Sequence, residues 1–102
     1  MANIRIGWVN RSDAATLSGG DWEPTLPLAN MQTRFGTEVA RSTSADDADT
    51  IIDVDFGTSP RGIREVVLTD HNISVAGYVT ISAGSTLGGT DVLNGAAVAV
   101  WD

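Results

Sequence analysis

The stretch "TIIDVDFG", residues 50–57, sets Ile52, Val54 and Phe56 on one side of an extended chain and Ile51, Asp53 and Asp55 on the other. A period of two with an acidic side is the signature of a half-buried β-strand, because successive side chains of a strand point to opposite faces. The same period recurs along the chain. In "NIRIGWVN" Ile4, Ile6 and Trp8 oppose Asn3, Arg5 and Gly7, and in "GYVTISAG" Val79 and Ile81 oppose Tyr78, Thr80 and Ser82. "GIREVVLTD" has two valines and a leucine at its centre and reads as a strand buried on much of both faces. "GAAVAVWD" is expected to be a strand too, from Gly95 before it and its valine spacing.

Between these runs lie the turn-forming clusters "SGGDWEP", "STSADDADT", "GTSPRG", "SAGSTLGGTD" and "LNG". Short strands separated by such breakers predict an all-β chain, an antiparallel sandwich or barrel. Only "LANMQTRFG" has room for a helical turn, with Leu28, Met31 and Gln32 at helical spacing and Pro27 to open it. The expected core is Ile52, Val54, Phe56, Val66, Leu68, Val79 and Ile81, which share faces by alternation.

At 102 residues the chain suffices for one domain, 1–102, around a single core, and its end on a strand leaves open that it is the N-terminal part of a longer protein. Hydrophobic residues make up 42% and charged residues 19%, a globular balance. The six basic residues, all arginine, face thirteen acids, for a net charge of -7. Such a field repels a phosphate backbone and an anionic membrane surface, so neither nucleic acid nor membrane insertion is expected. No run of about 18 apolar residues occurs, and the first ten residues lack the continuous apolar stretch of a secretory signal, so a soluble chain without a cleaved signal is expected. Without that signal, "NRS" and "NIS" are chance matches to the glycosylation pattern.

Chemistry-bearing residues are few. There is no cysteine, which removes disulfides, thiolate metal sites and a thiol nucleophile. His71 is the sole histidine, and Asp70 beside it would point to the opposite face of a strand, so the two make a poor general-base dyad. His71 and Asn72 are expected to close a strand end, Asn72 in a turn bonded to nearby backbone. Asp46, Asp47 and Asp49 cluster in "SADDADT", but the loop lacks the glycine and the distal glutamate of an EF-hand. A solvated loop is expected there, calcium held with help from elsewhere being the alternative. "SAGSTLGGT" has neither the lysine nor the following helix of a phosphate loop. No nucleophile elbow and no convincing carboxylate pair are present, so neither an enzymatic activity nor a cofactor is expected.

The three tryptophans are more informative. Trp8 lies on the apolar side of its strand and is expected in the core. Trp22 lies in a loop beside Asp21, Glu23 and Pro24, where an aromatic serves as a sugar platform, a protein anchor or a cover for the open end of a sandwich. Trp101 follows Val98 and Val100 at the end of a strand with no lysine to guard its edge. Trp22, Val98, Val100 and Trp101 are therefore the expected partner contacts.

"WVNRSDAATLSGGDWEPTLPLANMQT", "VARSTSADDADTIIDVDFG" and "IREVVLTDHNIS", in that order, resemble tailed-bacteriophage virion proteins with a galactose-binding-like, discoidin-type jelly-roll domain. The likeness covers about residues 8–82, with "ARS", the "DFG" that ends a strand and "HNIS" among its marks. It implies a jelly-roll β-sandwich and a structural or attachment role at the tail tip, baseplate or fibre attachment point. The location implied is the virion, assembled in the host cytoplasm, and the partners implied are other virion proteins in a homo-oligomeric or symmetric assembly. A module recognising host surface glycans is the rival, weakened by the small number of loop aromatics.

Overall fold

A computed structural model describes residues 10–33, 37–58, 62–63, 66–68 and 71–100. The ordered elements are short: six strands of two or three residues and two 3-10 helical turns, with no α-helix among the described residues. The chain divides into two compact units, residues 1–67 and 68–102.

In the first unit, β1 (Thr16–Ser18) pairs antiparallel with β2 (Asp53–Asp55), Leu17 opposite Val54. This pair puts two apolar, half-buried side chains on one face and Thr16 with Asp55 and Ser18 with Asp53 on the other. β2 ends where the Asp55 carboxylate accepts the amide of Gly57 at 2.8 Å, an Asx turn that takes Gly57 to a φ of 87°.

The expected helical turn forms over Leu28–Gln32, with Pro27 preceding it as the N-cap. It lies against β1 and buries Leu28, 8% exposed. Gln32 ties it to the 3-10 turn Arg11–Ala14, its amide nitrogen donating to the carbonyls of Ser12 at 2.6 Å and Ala15 at 2.7 Å. Asn10 caps that first turn, its side chain accepting from the amide of Ser12 at 3.1 Å.

The second unit is one antiparallel ribbon. β3 (Tyr78–Val79) pairs with β6 (Val98–Ala99), and within that pair β4 (Ser82–Ala83) pairs with β5 (Leu93–Asn94). Backbone bonds from Val100 to Gly77, from Gly95 to Ile81 and from Val92 to Ala83 make the two pairs one long hairpin.

Several expectations about packing are overturned. Leu28 is the only buried hydrophobic residue among those described, whereas Val66, Leu68 and Ile81 of the expected core are 59%, 42% and 43% exposed. Ile52, Val54, Phe56 and Val79 are half-buried. Alternation assigns residues to a face, but burial needs a second layer over that face, and among the described residues the strands form three two-stranded pairs. Likewise the described part of "GIREVVLTD", residues 62–63 and 66–68, joins no strand among the described residues. Of the strand expected in "NIRIGWVN", residues 3–9, Trp8 among them, lie outside the described residues.

Candidate functional site

Trp22 sits where three segments meet. The "SGGDW" turn follows β1 with Gly19 and Gly20 at positive φ, 84° and 66°, and folds the indole back so that its Nε1 donates to the Gly19 carbonyl at 2.9 Å. Trp22 then bridges to Ser42. The flanking bonds run as a small antiparallel ladder, Glu23 donating to Arg41 at 2.8 Å and Thr43 to Asp21 at 3.0 Å. A Cβ on Gly20 would lie 2.6 Å from the Asp49 carbonyl and 2.7 Å from the indole nitrogen, so glycine is required for this close approach. The indole is half-buried with its one donor committed inside the turn, and backbone bonds to Arg41, Thr43 and Asp49 tie the turn to the later segment.

The acidic loop closes on itself. Ser44 donates its hydroxyl to the Asp49 carboxylate at 2.6 Å and accepts the amide of Asp46 at 3.0 Å, while the Thr50 hydroxyl donates to the carbonyls of Asp46 and Asp47. Among the described residues no three metal-binding side chains converge. His71 is exposed, and its Nδ1 accepts the amide of Ile73 at 3.3 Å, a local turn bond. Asp70 lies outside the described residues.

The ribbon holds the expected contacts Val98 and Val100, while Trp101 lies outside the described residues. Val98 is 64% exposed; Val100 is half-buried and its amide donates to the Gly77 carbonyl at 3.0 Å. Between the pairs Val79 with Val98 and Ser82 with Asn94, one strand carries residues 80–81 and the other residues 95–97. The extra residue is a β-bulge, and it shifts the phase of one strand against the other. Period two then puts Val79, Ile81, Ala83, Leu93 and Val98 on one face and Tyr78, Thr80, Ser82, Asn94 and Ala99 on the other. Without the bulge, Leu93 would fall on the face of Thr80 and Ser82.

At the tip of the ribbon, Asp91 accepts from the Ser85 amide at 2.9 Å and from the Ser85 hydroxyl at 2.8 Å. The Ser85 amide first, and its hydroxyl second, hold the Asp91 carboxyl below the usual carboxylate range. No helix among the described residues is long and apolar enough to cross a membrane.

Comparison with known protein families, with curated proteins and with solved structures finds no match to this chain.

Sequence reasoning found the alternation of residues 78–82 and the valines of the last strand but missed that one face unites them. The signal was "LNG": Gly95, in the middle of an otherwise strand-like run, marks a bulge.

Proposed function

We propose that the chain is a non-enzymatic structural or attachment module of a tailed-bacteriophage virion, at the tail tip, baseplate or a fibre attachment point. Its working state is a galactose-binding-like jelly roll whose layers are completed by packing on other virion chains. One observation carries this reading: among the described residues a single hydrophobic side chain, Leu28, is buried, while Val75 is 82%, Val92 74% and Val67 67% exposed. Exposed apolar surface on this scale marks a surface that associates, and strands that have one partner each among the described residues offer edges for further pairing. The resemblance of residues 8–82 supplies the virion context.

The test is mass spectrometry of gradient-purified phage particles from cells producing this chain. The reading expects the chain at constant stoichiometry in tailed particles and in isolated tails. Recovery only in the unassembled fraction would rule the reading out. Retention of the folded chain on immobilised host glycans, lost in Trp22→Ala, would point to carbohydrate recognition instead.

A further inference from the structure

We propose that the ribbon of residues 77–100 is a self-association element, through which two copies of this chain pack their apolar faces, carrying Val79, Ile81, Leu93 and Val98, against each other. The inference goes beyond virion membership and does not depend on it.

The bulge brings Leu93 to the side of Val79, Ile81 and Val98, where Ile81, Leu93 and Val98 are 43%, 48% and 64% exposed, while Tyr78 and Val92 fall on the other side among Thr80, Ser82 and Asn94. A two-stranded ribbon is at best marginally stable in water, and it gains stability when its apolar face is covered. Charge selects the occupant. Asp91 is the single charged residue between Gly77 and Val100, and it is held on Ser85 at the tip. The other acids of this -7 chain lie outside these residues. A basic partner is drawn to those acids and finds no counter-charge on the ribbon face. A second copy, repelled by the acidic surface elsewhere, meets an uncharged and self-complementary face here. A two-fold arrangement sets the same patch against itself, so each apolar side chain is covered by apolar residues of the other copy, and those near the axis by their like.

The chain has no cysteine, so single substitutions give a clean proximity test. Sedimentation velocity of the 102-residue chain is expected to show a concentration-dependent dimer. Leu93→Asp and Val98→Asp should each weaken it at least about tenfold, the effect of roughly 1.4 kcal/mol. Thr80→Asp, on the opposite face, should stay within a few-fold of the unaltered chain. Oxidation with diamide should cross-link the faster of Ile81→Cys and Val98→Cys into covalent dimers well ahead of Thr80→Cys, a readout that holds even if the aspartate variants fail to fold. A chain that remains monomeric at every concentration overturns the proposal. So does equal cross-linking from both faces, or a monomer that floats with phosphatidylcholine vesicles. Because no phage particle enters these measurements, a dimer absent from virions would refute the proposed function and leave this inference standing.

Discussion

Ser85 and Asp91 close the tip of the second-unit ribbon through two bonds to one carboxylate, 2.9 Å from the amide and 2.8 Å from the hydroxyl. Both favour the ionised acid and hold its pKa below the usual carboxylate value. A depressed folded-state pKa contributes stability that is present above the unfolded-state value and is lost as pH falls through the folded one. The tip should therefore loosen only in acid, below about pH 4. An NMR titration should place the Asp91 midpoint under that of an unfolded peptide, with the Ser85 amide losing exchange protection over the same range. A midpoint at or above the peptide value would show that the two bonds do not form.

Leu28 and Phe56 divide the stability of the first unit unequally. Leu28→Ala empties a buried site and should cost about 2–5 kcal/mol. Phe56, half-buried, should cost about 1–2 kcal/mol on truncation to alanine, from the smaller area it removes from water. Urea midpoints of the two variants decide the matter. A larger loss for Phe56→Ala would move the core away from Leu28.

These residues also show what the sequence could reveal. Alternation in "IIDVDF" and "GYVTIS" placed β2 and β3 correctly, because side-chain direction in a strand is a local property. The turn at Leu28–Gln32 was legible from Pro27 and the helical spacing behind it. β1 was missed, since three residues, Thr16–Ser18, are too short to show a period. Burial was misjudged at Val66, Leu68 and Ile81 because it depends on what covers a face, and local periodicity carries no information about the covering layer. Of the expected contacts, Val98 proved exposed and Trp22 committed its indole nitrogen to Gly19.

Gly20 is required on two counts, a φ of 66° and a Cβ position 2.6 Å from the Asp49 carbonyl. Gly20→Ala adds a left-handed backbone penalty to a clash with main chain that cannot swing aside. The loss should be about 1–3 kcal/mol, accompanied by a change in Trp22 fluorescence as the indole leaves Gly19. Retained stability and an unchanged spectrum in that variant would show that the turn is looser than its geometry.

His71→Ala should leave dimer formation and particle incorporation unchanged. Its Nδ1 accepts from the amide of Ile73, two residues on, a bond that closes a turn locally. Loss of either property, in a variant whose circular dichroism matches the parent, would assign His71 a functional role.

Gly95 decides which face Leu93 occupies. Its amide donates to the Ile81 carbonyl at 3.1 Å, inside the bulge, and a Cβ at this position would run into that same carbonyl oxygen. Gly95→Ala therefore forces the strands apart at the one point where the phase of the ribbon is reset. Removing the bulge by a one-residue slip would carry Leu93 to the side of Thr80 and Ser82 and leave Val79, Ile81 and Val98 without it. The variant should lose exchange protection at position 95 and weaken dimerisation at least about tenfold, as the aspartate variants do. It should also abolish the preference of cross-linking for position 98 over position 80, although no charge has been added to the face. If exchange protection falls while association and cross-linking selectivity persist, the bulge does not control the packing face, and the apolar side chains must be gathered by some other feature of the ribbon.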